Sequence, residues 1–198
     1  MSLVVVDACG ANISSVLSAL VRAGCDPIVT ADSSTIKTAE RVILPGVGAA
    51  GNAMERLRSC GLDQLIPTLT QPVLGICVGM QVLFKSSEED EVECLGVFDA
   101  RLEKFQADPD CPVPHMGWNK VEPVNNHPLL SNLPEAAYCY FVHSYRAPCF
   151  EHTVASSDYG SAFTAAVARD NFAGVQFHPE RSADIGAQVL KNFLEWSI

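Results

Sequence analysis

One cysteine and a later histidine–glutamate pair are the residues best suited to joint chemistry. Cys77 stands between two glycines in the segment GICVG at 75–79, which is typical of a nucleophile on a sharp strand-to-helix turn. The start of a helix favours the thiolate, which is the reactive form of a cysteine. We therefore predict that Cys77 is a nucleophile and that the N–H of Val78 points at the oxyanion formed beside its sulfur.

His178 and Glu180 are suited to serve that nucleophile. They lie in the segment GVQFHPE at 174–180, where we predict a strand that ends at His178. A thiol nucleophile needs a histidine to exchange its proton, and the histidine needs a carboxylate to fix its tautomer. Alone, such a cysteine is usually a packing residue and such a pair is more often structural. Because sites in open α/β sheets form at the C-terminal ends of strands, the joint pattern predicts a Cys–His–Glu hydrolase or acyl-transfer site.

A glycine-rich turn, GVGAAG at 46–51, offers a different chemistry. It matches the dinucleotide fingerprint G-x-G-x-x-G, but that fingerprint also needs an acid about 20 residues further on. The corresponding segment, QPVLGI at 71–76, contains no acid. Nicotinamide binding is therefore disfavoured. The exposed backbone N–H groups of such a turn suit an oxyanion as well as a phosphate.

The elements that must position these residues follow from the hydrophobic pattern. Apolar runs predict buried parallel strands, and apolar stripes with helical spacing predict helices between them. The predicted strands of the first half are 3–6, 27–29, 42–44 and 72–76, and the predicted helices are 13–21, 53–60 and 78–84. From about residue 95, strand-like stretches follow one another, before a closing helix over 185–194. We predict a single α/β domain over 1–198, with an open, mostly parallel sheet flanked by helices and an antiparallel β elaboration in the second half. The acidic run 88–93 is predicted to be a solvated loop.

Composition excludes several classes of protein. The chain has 198 residues, a net charge of −10 and 48% hydrophobic residues, which disfavours a disordered protein, a nucleic-acid-binding protein and a membrane span. Its eight cysteines include no C-x-x-C pair, so neither a disulfide framework nor a zinc site is supported. We expect seven of them to be packing or surface thiols in a reducing cytoplasm.

Several segments resemble a known family. LGICVGMQ at 74–81 and GVQFHPE at 174–180 resemble the two signatures of class I (triad) glutamine amidotransferases. Within that family, LPGVG at 44–48, PHMGWN at 114–119 and FVHSY at 141–145 resemble the branch formed by the glutaminase subunits of imidazole glycerol phosphate synthase. The resemblance runs nearly from end to end.

The resemblance implies a role for each matching residue. Cys77 would attack the carboxamide of glutamine, giving a thioester and ammonia, while His178 moves the protons and Glu180 orients His178. A second oxyanion N–H, besides that of Val78, would come from Val47. The residues that would hold glutamine are Gly48, Gln81, His143, Ser144 and Tyr145. No cofactor and no metal are implied.

The resemblance also implies a partner, a (β/α)8-barrel cyclase that receives the ammonia in a heterodimer. Asn12, Tyr140 and Arg181 would lie near that interface, although DACGAN at 7–12 departs from the D-Y-G-x-G-N common in the family. Three alternatives stay open: a sister amidotransferase, another thiol hydrolase, and a silent binding module. The sister would lack PHMGWN, the hydrolase would lack FHPE, and the silent module would have lost Cys77 or His178.

Overall fold

The chain folds around a nine-stranded sheet in the computed structural model, which describes residues 2–8, 13–107 and 109–198. One half of this sheet is parallel. Its strands, in spatial order, are β2 (Ile28–Thr30), β1 (Leu3–Val6), β3 (Arg41–Gly46), β4 (Val73–Cys77) and β13 (Phe172–Val175). The inner strands are buried along nearly their whole length, as their continuous apolar runs predict, whereas the edge strand β2 is largely exposed.

The second half of the same sheet is antiparallel. It continues from β13 through β12 (Ala162–Arg169), β11 (Thr153–Asp158) and β8 (His115–Pro123) to the other edge, β9 (Ala137–His143). A separate four-stranded sheet has the order β10 (Tyr145–Arg146), β7 (Phe98–Lys104), β5 (Phe84–Ser87) and β6 (Val92–Glu93).

Helices connect the parallel strands, as right-handed crossovers require. These connecting helices are α1 (Ile13–Arg22), α2 (Ser33–Thr38), α3 (Ala50–Ser59) and α4 (Leu62–Leu65). Two more helices lie outside those connections: α5 (Val78–Gln81) leads from β4 to β5, and α6 (Ala183–Glu195) follows the last strand. The predicted fold class, an open, mostly parallel α/β sheet flanked by helices with an antiparallel elaboration in the second half, is confirmed by this arrangement.

Strand register brings the predicted site together. Cys77, the last residue of β4, pairs with Gly46 at the end of β3. On its other side, β4 pairs Ile76 with Val175, the last residue of β13. The glycine-rich turn, the cysteine and the segment leading to His178 therefore leave the sheet at the same edge.

Two predicted boundaries near the site are wrong. The helix predicted over 78–84 ends at Gln81, and Phe84 begins β5. The Phe84 ring packs against those of Phe98 and Phe150, with centroids 5.3 and 5.8 Å away, so the apolar residues after Gln81 belong to a second buried element. The strand predicted to end at His178 ends at Val175. The chain then turns through His178 into a short 3-10 segment.

The acidic run 88–93 is only partly the solvated loop that we predicted. Its residues are mostly exposed, but it forms a 3-10 turn over Glu89–Glu91 and then β6. The Glu89 carboxylate accepts a hydrogen bond of 2.7 Å from the N–H of Ala50, at the first turn of α3. The run therefore caps a helix.

Two further findings concern the chain as a whole. Within the described ranges, no helix has both the length and the apolar character needed to cross a lipid bilayer. The seven cysteines in those ranges form no disulfide with one another, and Cys9 lies outside them.

Candidate active site

Cys77 occupies a strained position at the turn between β4 and α5. Its backbone has φ 53° and ψ −114°, a positive φ that non-glycine residues rarely adopt. The side chain is almost fully buried, at 4% exposure. The turn therefore fixes the sulfur at the sheet edge. Because α5 is only one turn long, any stabilisation of a thiolate comes from its first N–H groups rather than from a long helix dipole.

The glycine after Cys77 is required because two backbones meet there. A Cβ on Gly79 would lie 1.7 Å from the carbonyl oxygen of Leu44 in β3, far inside van der Waals contact. Only glycine allows α5 to pack so closely on the neighbouring strand. This is the physical reason for the second glycine of GICVG.

His178 and Glu180 form a buried pair. Nδ1 of His178 lies 2.8 Å from Oε1 of Glu180, and the two side chains are 8% and 7% exposed. A carboxylate only accepts hydrogen bonds, so Nδ1 carries the hydrogen of this bond. Nε2 of His178 is also buried, and among the described residues it has no hydrogen-bond partner. It is the nitrogen left for proton exchange.

The charges around His178 favour its imidazolium form. Burial lowers its pKa, but a thiolate on nearby Cys77 and the Glu180 carboxylate raise it by more than burial lowers it, to about 10. Since Nε2 makes no hydrogen bond to the sulfur, we attribute the effect of Cys77 to electrostatic proximity. The arrangement suits a thiolate–imidazolium pair.

Two buried glutamines connect the sulfur of Cys77 to the backbone of Tyr145. Nε2 of Gln176 donates to Sγ of Cys77 at 3.8 Å, and Oε1 of Gln176 accepts from Nε2 of Gln81 at 3.0 Å. Nε2 of Gln81 also donates to the Tyr145 carbonyl oxygen at 3.1 Å. Both amide hydrogens of Gln81 are thus engaged, so its oxygen is the atom available to a ligand. The sequence pattern did not single out Gln176, although it stands within GVQFHPE.

A cavity of about 430 Å³ lies over the sulfur. It gathers most of the predicted site residues: Val47, Gly48, Cys77, Val78, Gln81, His143, Ser144, Tyr145, His178, Glu180 and Arg181. It is also lined by four residues that were not among the predicted site residues: Ser15, Glu89, Pro114 and Val142. The volume suits a small-molecule ligand.

The predicted oxyanion turn borders this cavity. Gly48 has φ +86°, and a Cβ there would meet no atom within 4 Å, so its conformation, not crowding, favours glycine. Val47 is 39% exposed and Val78 is buried. The two predicted N–H donors therefore belong to an exposed residue of the glycine-rich turn and a buried residue of the elbow, and both residues line the cavity.

His143 lines the cavity, but its polar atoms are engaged within the protein. Nδ1 lies 2.8 Å from the Tyr145 carbonyl oxygen, and Nε2 lies 3.0 Å from Nδ1 of His115. Burial lowers its pKa to about 3, so the ring is neutral. Neither ring nitrogen is free to hold glutamine.

Glu89 brings a carboxylate to the cavity. Its side chain is partly buried, and burial raises its pKa. Nothing in the sequence separates Glu89 from the acids beside it. Only the 3-10 turn, and its bond to Ala50, places it at the site.

Two of the three predicted interface residues lie together. The guanidinium carbon of Arg181 is 4.9 Å from the centroid of the Tyr140 ring, a cation–π contact. Asn12 lies outside the described residues. In the part of the chain that the structure describes, no group of three or more His, Cys, Asp or Glu side chains could hold a metal ion.

Comparison with known proteins agrees with this site. The family model for glutamine amidotransferase class-I matches residues 4–196. The chain is 48% identical over 202 residues to the imidazole glycerol phosphate synthase subunit HisH of Shewanella loihica, covering 97% of this chain and 89% of that protein. It is 51% identical over 192 residues to the HisH subunit of Xanthomonas euvesicatoria, covering 97% and 96%.

A solved structure shares the fold at a greater sequence distance. A Thermoplasma acidophilum protein assigned as a component of GMP synthase superposes with a TM-score of 0.76 at 22% identity, covering 98% of this chain and 92% of that one. The match extends across nearly the whole of both chains. This chain is therefore a class-I glutamine amidotransferase, of the family that includes the imidazole glycerol phosphate synthase subunits HisH.

Proposed function

We propose that this chain, as a single amidotransferase domain, is the glutaminase subunit of an imidazole glycerol phosphate synthase in histidine biosynthesis. It hydrolyses glutamine to glutamate and ammonia through a thioester on Cys77. The observation that carries the proposal is the strained cysteine beside a buried His178–Glu180 pair, on the wall of a cavity of about 430 Å³. The relatives that are about half identical to this chain bear the same subunit name.

Acylation begins with attack of the Cys77 sulfur on the carboxamide carbon of glutamine. The carbonyl oxygen gains negative charge, which the N–H groups of Val78 and Val47 stabilise. His178 gives its Nε2 proton to the leaving nitrogen, ammonia departs, and the carbonyl reforms as a thioester. Glu180 holds the imidazole by Nδ1 throughout, so that Nε2 faces the reaction.

Deacylation uses the same groups in the opposite sense. A water molecule attacks the thioester carbon, and the now neutral His178 takes a proton from that water. The carbon–sulfur bond breaks, glutamate leaves, and the thiolate–imidazolium pair is restored. No redox partner and no further reactant are needed.

Polar groups on the cavity wall recognise the substrate. The Glu89 carboxylate and the free amide oxygen of Gln81 are acceptors suited to the ammonium group of glutamine. Gly48, Ser144 and Tyr145 line the same cavity and complete the binding site.

We also propose that the ammonia passes to a (β/α)8-barrel cyclase partner in the cytoplasm. Ammonia released into water is diluted and protonated, and the ammonium ion is not a nucleophile, so direct transfer preserves its reactivity. Near the Tyr140–Arg181 pair, the side chains of Met116, Trp118 and Tyr138 are 62%, 55% and 50% exposed. An exposed apolar surface of this kind suits a protein partner.

Trapping the acyl intermediate tests this function. We expect that mixing the complex with glutamine, quenching with acid and digesting the protein yields a glutamyl adduct on the peptide that contains Cys77. The matched control is Cys149→Ser, which removes an exposed thiol and should leave the adduct intact. An adduct on another residue, or turnover without any adduct on Cys77, would contradict the proposal.

A further inference from the structure

A buried chain of hydrogen bonds runs from the PHMGWN segment to the nucleophile. We propose that His115 is a positioning residue for glutamine hydrolysis, which acts through His143 and the Tyr145 carbonyl on the groups that hold Cys77. The proposal rests on the proposed function and adds a role for His115, which is not among the residues predicted to react or to hold glutamine.

The tautomers in this chain are fixed by its end. A carbonyl oxygen only accepts, so His143 must donate from Nδ1 to the Tyr145 carbonyl oxygen, 2.8 Å away. A neutral His143 then accepts at Nε2, and His115 must donate to it from Nδ1 across 3.0 Å. His115 is left to accept at Nε2 from Nδ2 of Asn119, 3.3 Å away.

The far end of the chain is anchored. Nδ2 of Asn119 also donates to the carbonyl oxygen of Asp158 at 2.7 Å, and its Oδ1 accepts from the N–H of Lys120 at 2.8 Å. These backbone contacts fix which end of the amide is the donor. His115 is therefore held from outside the cavity by the sheet itself.

The near end reaches the sulfur. The same Tyr145 oxygen accepts from Gln81, whose second amide hydrogen goes to Gln176, and Gln176 donates to Sγ of Cys77. The Tyr145 carbonyl is thus held from two sides. A displacement of that carbonyl on the His143 side would shift Gln81 and Gln176, and with them the donor on the sulfur.

Packing keeps both imidazoles neutral. His115 and His143 are 3% and 6% exposed, and the His115 ring is stacked against Tyr159 and Phe141, with centroids 4.1 and 5.0 Å away. Burial lowers the pKa of His115 to about 4 and that of His143 to about 3. An imidazolium would have no acceptor nitrogen, so either ring would break the chain if it were protonated.

The chain positions groups and does not conduct protons. The Tyr145 carbonyl oxygen accepts a hydrogen bond from His143 on the His115 side and another from Gln81 on the Cys77 side. A carbonyl oxygen has no proton to pass on. His115 therefore cannot serve as an acid or a base for Cys77. Its effect must appear as a change in geometry at the sulfur.

Steady-state kinetics of the complex with the cyclase test the proposal. His115→Phe keeps an aromatic ring in the stack but removes the donor to His143. We expect kcat for glutamine hydrolysis to fall about 10-fold to 100-fold, with KM within about twofold of wild type. His115→Gln retains an N–H donor and should recover most of kcat. Phe105→Leu is the packing control, because the Phe105 ring contacts both imidazoles and is not part of the chain.

A spectroscopic readout separates positioning from packing. In the wild-type chain, ¹⁵N chemical shifts should show both His115 and His143 protonated on Nδ1 alone at neutral pH. A His143 protonated on Nε2 would overturn the proposal, as would a His115→Phe variant with the kcat of Phe105→Leu. The wild-type spectrum tests the tautomers that the proposal requires, even if His115→Phe does not fold. Failure of wild type to hydrolyse glutamine would instead refute the proposed function.

Discussion

At the scale of single residues, the contact between Glu180 and His178 holds the imidazole that carries the proton in the proposed reaction. The pair is almost fully buried, and burying an imidazolium without a partner would cost free energy. Burial alone would lower the pKa of His178, and its charged neighbours raise it instead. The His178 ring therefore keeps its proton at pH values well above the ordinary pKa of a histidine.

Replacing Glu180 should change that titration. In Glu180→Gln the amide carries no charge, so the pKa of His178 should fall and its proton should be lost at a lower pH than in wild type. We expect kcat to drop at least about 100-fold, because the orienting carboxylate is lost as well. NMR titration of the histidine ring protons measures the first effect. His152, which contacts Phe98 and Phe150 instead, is the internal control; an unchanged His178 midpoint would contradict the account.

Sequence patterns identified the residues proposed to react but not all of their neighbours. Cys77, His178 and Glu180 stand in short segments whose glycines and proline follow from tight backbone geometry. Glu89 carries no such mark, because its place at the cavity depends on a 3-10 turn within an acidic run. His143 was expected to touch glutamine, but its nitrogens are occupied by the Tyr145 carbonyl oxygen, two residues further on, and by His115, which lies opposite it on β8.

At the scale of elements, the elbow depends on the packing of α5 against β3. Gly79 of α5 lies against the backbone of Leu44 in β3, where there is no room for a Cβ. Neither strand nor helix can shift without moving Cys77, since that residue pairs with Gly46 of β3. The strained backbone of Cys77 is therefore held by the elements on both sides of it.

Adding one methyl group at this contact should destabilise the fold. We expect Gly79→Ala to lower the free energy of unfolding by about 3 kcal/mol or more, because the clash involves backbone atoms that cannot rotate away. Urea denaturation measures the change. Gly24→Ala is the control: Gly24 has a positive φ, +85°, which Gly79 does not, and a Cβ there meets nothing within 4 Å, so only the backbone strain of about 1–2 kcal/mol is expected. Equal losses in the two variants would contradict this account of the elbow.

Hydrophobic periodicity predicted most elements of the parallel half and missed where they end. The apolar residues after Gln81 extended the expected helix, although Phe84 packs in another sheet. The short helix α2 has only one buried residue, Ile36, and so gives no apolar stripe. Its start is marked instead by Asp32, whose side chain accepts from the N–H of Thr35. Such boundaries depend on capping and tertiary contacts that a hydrophobic pattern does not record.

At the scale of the whole molecule, one edge of the large sheet bears the groups proposed to meet the cyclase. Tyr140 belongs to the edge strand β9, and its neighbour β8 presents Met116 and Trp118 outward. The same β8 also carries His115 inward, at 3% exposure. One strand thus has a face toward the proposed partner and a face toward the chain of hydrogen bonds that reaches Cys77.

Synthesis by the complex, measured with two nitrogen sources, tests the central claim that Cys77 makes ammonia for a partner. In Cys77→Ser, we expect glutamine-driven synthesis to fall at least about 1,000-fold. Synthesis from added ammonium salts should stay at the wild-type rate, because the cyclase needs only the nitrogen. Loss of both activities, or retention of glutamine-driven synthesis, would contradict the account.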